Sequence, residues 1–116
     1  MKKPFITDGY NNMNREGLLE SIKKAVLEIE PYAQIILYGS RARKNSDAQS
    51  DWDFLVLLDG PVNDERIDKI RHRLYEIEWE SDEVLCSIIR SRTEWNSPLY
   101  KTTPFHQNVE LDGIIL

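Results

Sequence analysis

The sequence predicts an α+β fold in which amphipathic helices pack on a small β-sheet. Three observations carry that expectation: apolar residues at helical spacing in two long segments, short β-branched runs bounded by turn residues, and the order α, β, polar loop, β, α, β, α along the chain. With 116 residues, the chain is long enough for one core and short for two, so residues 1–116 are read as a single domain.

The first helix is expected over Arg15 to Glu30, where Leu18, Leu19, Ile22, Val26 and Ile29 share one face and Pro31 ends the run. Gln34 to Tyr38 reads as a buried strand that enters a tight turn at Gly39. A second such strand covers Asp53 to Leu58 and stops at Asp59-Gly60-Pro61. A helix then runs from Asn63 to about Glu80, with Ile67, Ile70, Leu74 and Ile77 on one face and Asn63 or Asp64 as its cap. Val84 to Ile89 makes a third strand. Thr103-Pro104 opens a last helix, which Gly113 stops.

Composition narrows the function. The chain is 41% hydrophobic and 30% charged, ordinary values for a folded domain, and it contains no apolar stretch that would span a membrane. Lys2 and Lys3 are not followed by the apolar run of a secretory signal, so a cytoplasmic location is expected. A net charge of -5 gives no general attraction to nucleic acid or anionic lipid, and direct nucleic-acid binding is not expected. Cys86 is the one cysteine and lies in an apolar run, which suggests a buried, inert thiol.

The chemistry concentrates between Leu37 and Val56. Gly39 lets the backbone turn sharply and approach a ligand, and Ser40 opens a basic stretch, Arg41 to Lys44, that begins a short helix. Free N–H groups at such a start, with the Ser40 hydroxyl, suit the terminal phosphates of a nucleotide. Arg41, Arg43 and Lys44 add positive charge, although not all three can face one ligand. Further on stands Asp51-Trp52-Asp53. In a strand, residues i and i+2 point to the same side about 6.6 Å apart, so both carboxylates can share a hard cation such as Mg²⁺. Trp52 then points the other way, into the core. Either half alone is a common surface feature; in one segment, they explain each other.

Gly-Ser, ten intervening residues and Asp-x-Asp, set between two apolar strands, resemble the signature of the DNA polymerase β-like nucleotidyltransferase superfamily. Ser40, Ala42, Arg43 and Ser50-Asp51-x-Asp53 are more closely similar to the minimal nucleotidyltransferases, short bacterial proteins often encoded beside a helical HEPN partner. The resemblance implies a small mixed β-sheet with helices packed on it, the polymerase β palm-like fold. It implies Gly39, Ser40, Arg43 and Ser50 as nucleotide-binding residues, and Asp51 and Asp53 as the catalytic, metal-holding pair for Mg²⁺ or Mn²⁺. The implied reaction transfers a nucleotidyl group, AMP from ATP, to a hydroxyl on a separate macromolecule. A HEPN-type toxin is the implied protein partner, with this chain as antitoxin.

The chain departs from the pattern twice. Lys44 stands where a glycine is common. Active members usually carry a third carboxylate on the later strand, which here reads Val84-Leu85-Cys86-Ser87-Ile88-Ile89 without an acid. Glu83 or Asp82 at its start, or a partner's residue, would have to supply it; otherwise the chain is a binding module that does not turn over. A nucleotide-sugar glycosyltransferase that uses Asp-x-Asp is the weakest reading, because it leaves Gly39-Ser40 unexplained. His72 and His106 are read as surface or satisfied polar residues, and the aromatic stretch Trp95 to Tyr100 as a cover for the sheet or a partner contact.

Overall fold

The protein is described from a computed structural model that places residues 14–43 and 50–116. Lys44, singled out above, lies outside the described residues. Helix α1 (Arg15–Ile29) starts at Asn14, whose side chain accepts the Gly17 N–H at 2.8 Å, and it buries Leu18, Ile22, Ala25 and Val26. Pro31 lies just beyond its end, as the sequence implies. Strand β1 (Gln34–Tyr38) leads into the one-turn helix α2 (Ser40–Arg43). Strand β2 (Trp52–Leu58) follows, then α3 (Asp64–Ser81), capped by Asn63 and closed by Asp82 in the left-handed conformation.

Strand β3 (Leu85–Ser91) begins one residue later and ends two residues later than its apolar run suggested. The short helices α4 (Arg92–Trp95) and α5 (Pro98–Lys101), then α6 (Pro104–Asp112) and β4 (Ile114–Ile115), complete the described chain. Thr103 caps α6 and Gly113 ends it, as expected.

The sheet is mixed, in the order β3-β2-β1-β4. Strand β1 pairs antiparallel with β2, with Tyr38 opposite Asp53, and β2 pairs parallel with β3, with Asp53 opposite Cys86. Parallel pairing needs a crossover, which α3 provides. One sheet face, built from Ile35, Leu37, Phe54, Val56, Leu58, Leu85 and Ile89, packs under α1 and α3. The other carries Ile36, Leu55 and Leu57 and is covered by Trp95, Tyr100, Phe105 and Val109 from the C-terminal helices. Strand β2 is central and covered on both faces, so Phe54 to Leu58 form an unbroken buried run.

Arg66 ties the front of α3 to the rest. Its Nε and Nη2 donate to the two oxygens of Glu30 at 2.8 and 2.7 Å, and its Nη1 donates to the Asp59 and Pro61 carbonyls. This paired geometry lowers the Glu30 pKa, with the Arg66 hydrogen bond as the largest cause.

Two sequence expectations are overturned. Cys86 is exposed, not buried: β3 is an edge strand, and the C-terminal helices cover this face near Ile88 while leaving the end with Cys86 open. His106 is neither on the surface nor satisfied. It is 4% exposed, stacks on Trp95 with ring centroids 4.2 Å apart, and its Nε2 has no hydrogen-bond partner among the described residues. His72 does lie on the surface, beside Glu76. Trp95 and Tyr100 cover the sheet, whereas Leu99 between them is exposed. Among the described residues, no helix is long and apolar enough to cross a membrane.

Candidate active site

The β1 strand ends at Gly39, whose φ of +79° lies in the left-handed region that side chains disfavour. A Cβ at this position would stand 2.5 Å from Oδ2 of Asp53. Only a residue without a side chain lets the turn and the carboxylate lie against each other. The Gly39 carbonyl accepts the N–H groups of Ala42 and Arg43 at 3.1 and 3.2 Å, which starts α2, and the buried Ala42 seats that turn in the core. Ser40, half-buried, is the first residue of this helix.

Strand alternation sends Trp52 to the α1/α3 face, where it is 3% exposed, and Asp53 to the opposite face with Leu55 and Leu57. Asp51 is exposed at the mouth of β2, and its Oδ2 lies 3.7 Å from the Cys86 Sγ. Tyr38, Asp53 and Cys86 thus form a row across three strands, with Asp51 at its rim.

The electrostatics follow from this crowding. Burial, then the charge of Asp51, raises the Asp53 pKa. Burial pushes the Tyr38 phenol up to about 12, with further contributions from Asp53, Cys86 and Tyr100, so it stays neutral. Partial desolvation, followed by the charges of Asp51 and Asp53, raises the Cys86 pKa. Two crowded carboxylates are hard oxygen donors whose mutual repulsion a divalent cation would relieve, so Asp51 and Asp53 could hold one. The space that Gly39 keeps clear beside Oδ2 agrees with that fit.

Among the described residues, neither acid at the start of β3 completes a three-ligand cluster with Asp51 and Asp53. Glu83 turns to the other face, where its Oε1 accepts Trp52 Nε1 at 2.9 Å and lies 3.5 Å from Arg41 Nη2. Trp52 is buried on the side away from the aspartates, so its partner is carried there too. Asp82 closes α3 as its C-cap. Among the described residues, no three His, Cys, Asp or Glu side chains converge as a metal cage. The place beside Asp53 on β3 belongs to Cys86.

The basic residues separate as well. Arg41 turns inward, its guanidinium 4.3 Å from the Trp52 ring centroid, and its Nε and Nη2 donate to the Ser50 carbonyl at 3.0 and 2.9 Å. Arg43 is exposed and pairs at 3.4 Å with Asp112 at the end of α6. Gly39, Ser40, Asp51 and Asp53 therefore gather at one end of the sheet, Ser50 adjoins them through its backbone, and Arg43 leans toward the last helix. Tyr38 and Cys86 are neighbours the sequence reading missed. Tyr38 adjoins Gly39 and was legible in principle, whereas Cys86 depends on a strand register that one sequence does not display.

A small mixed sheet under two long helices, with a glycine turn against a strand-end carboxylate, defines the α+β class that the motif suggested. Residues 19–113, from α1 through Gly113, match the nucleotidyltransferase domain, and the chain belongs to that family, within the polymerase β-like nucleotidyltransferase superfamily. Nucleotidyl transfer is the general activity of such domains. No curated protein matches the sequence significantly.

Proposed function

We propose that this chain, acting as one cytoplasmic domain, transfers a nucleotidyl group, AMP from ATP, to a hydroxyl on a separate macromolecule. The observation that carries the reading is the contact between Gly39 and Asp53, which joins the phosphate-holding turn to the acidic pair. Ser40 and the neighbouring backbone N–H groups receive the terminal phosphates, with Gly39 keeping the approach open and Ser50 and Arg43 at the flanks. Asp51 and Asp53 would hold Mg²⁺ or Mn²⁺. A bound divalent cation neutralises charge on the triphosphate and on the leaving pyrophosphate. The protein's own part is to orient the nucleotide so that the acceptor oxygen attacks in line. The likeness of Ser40, Ala42, Arg43 and Ser50-Asp51-x-Asp53 to the minimal nucleotidyltransferases supports a HEPN-type acceptor protein, with this chain as antitoxin; that support is by analogy.

The test is incubation with labelled ATP, Mg²⁺ and the product of a neighbouring gene. Label should appear on the partner with wild-type protein and vanish with Asp51→Asn or Asp53→Asn. No transfer by folded wild-type protein to any neighbour sinks this reading.

A second reading, nucleotide or partner binding without turnover, is favoured by one observation: Cys86 stands beside Asp53 where an acid would complete a two-metal site. It predicts Mg-ATP binding that is lost in Asp51→Asn, with no pyrophosphate released at any partner concentration.

A further inference from the structure

The two halves of the candidate site are separated in sequence by residues 41–50, yet phosphate and metal ligands must hold their relative positions to about 0.5 Å to work together. Arg41 spans that gap from within. It follows Ser40 directly, and its guanidinium donates twice to the carbonyl of Ser50, the peptide group that leads into Asp51. It is thus covalently next to one half and donates two hydrogen bonds to the backbone of the other.

The clasp is itself held from several sides. Its Cζ lies 4.3 Å from the centroid of Trp52, a core residue between the two aspartates that faces away from them. Glu83 Oε1 accepts Trp52 Nε1 at 2.9 Å and lies 3.5 Å from Arg41 Nη2. Arg15 Nη1, from the first turn of α1, donates to the Arg41 carbonyl at 2.7 Å. The Arg41 side chain is only 14% exposed, so solvent weakens these contacts little.

We propose that Arg41 is a positioning residue, which sets the placement of Asp51 relative to Ser40 through its paired hydrogen bonds to the Ser50 carbonyl and so sets the affinity for a metal–nucleotide. It does not meet the phosphates itself. A lysine would keep the charge but not the planar double donation. This inference rests on the nucleotidyltransferase reading of the site.

The test is calorimetric titration of full-length protein with a non-hydrolysable ATP analogue and Mg²⁺, alongside the thermal midpoint of each variant. Arg66→Lys is the control, because it removes an equally well-bonded guanidinium far from the site. Arg41→Lys should weaken binding about tenfold or more, the worth of a charge-assisted contact, while Arg66→Lys lowers the midpoint and leaves affinity within about twofold of wild type. If Arg41→Lys does not fold, Glu83→Gln takes its place and should weaken binding by roughly two- to threefold.

Wild-type affinity in Arg41→Lys, or in Glu83→Gln where that variant is used, overturns the proposal. So does an affinity loss in Arg66→Lys that matches its loss of stability as it does in Arg41→Lys. Absence of binding by wild type overturns the functional reading and this proposal together, whereas equal binding by wild type and Arg41→Lys overturns this proposal alone.

Discussion

Replacing Gly39 with alanine probes the joint between the turn and the acidic pair. Two costs follow from the geometry. A side chain at φ +79° is strained by about 1–2 kcal/mol relative to glycine. The new Cβ also stands 2.5 Å from Asp53 Oδ2, with the Asp53 Cγ at 3.4 Å, so the carboxylate must rotate away from its well, at a further ~1 kcal/mol. For 116 residues, roughly 4 °C of melting temperature corresponds to each kcal/mol, so the midpoint should fall by about 8–12 °C.

In an Asp53→Ala background, the carboxylate that would have to rotate is gone and only the backbone strain persists; Gly39→Ala should then cost about 4–8 °C. Binding of a Mg-ATP analogue should fall by about tenfold or more in Gly39→Ala, because Asp53 has moved. Thermal melts of the four proteins in this cycle, with calorimetry on wild type and Gly39→Ala, measure both effects. An unchanged midpoint and affinity in Gly39→Ala, or an equal penalty in both backgrounds, would refute the reasoning.

Three further outcomes are expected. The raised pKa of Asp53 means that its protonated form suits the folded state, so this group's contribution to stability is lost as pH rises from the ordinary aspartate value of 3.8 through its folded value; Asp53→Asn should flatten that part of a stability–pH profile. Cys86→Asp would place a third carboxylate beside Asp51 and Asp53, lowering the melting temperature of metal-free protein and tightening Mn²⁺ binding, both measurable by melts with and without the ion. His106→Phe should keep the stack on Trp95 and remove a buried nitrogen that has no partner among the described residues, stabilising the protein by about 1 kcal/mol in urea denaturation.

Much of the fold was legible because its long elements carry a strong period. The faces of α1 and α3 and the apolar runs of β1 and β2 are local patterns, and Pro31, Asn63, Thr103 and Gly113 mark ends through local chemistry. Helices α4 and α5, one turn each, and the two-residue β4 are too short to show a period. Their formation depends on caps at Ser91 and Ser97 and on packing over the sheet.

The candidate site divides the same way. Gly39-Ser40 and Asp51-x-Asp53 could be read because turn chemistry and strand alternation are local. The placement of Cys86 beside Asp53 comes from the β2–β3 register, and the departure of Glu83 to the Trp52 side comes from tertiary hydrogen bonds. Arg41 looked like one of several cations near a phosphate; only the packed position of Trp52 shows that it faces inward.

The central claim is that Gly39-Ser40 and Asp51-x-Asp53 form one metal–triphosphate site. A crystal structure of the protein with Mg²⁺ and a non-hydrolysable ATP analogue tests it most directly. The account predicts a cation bound by Asp51 and Asp53 and by phosphate oxygens, with the triphosphate seated on Ser40. A nucleotide bound elsewhere, or a cation that touches neither aspartate, would contradict it.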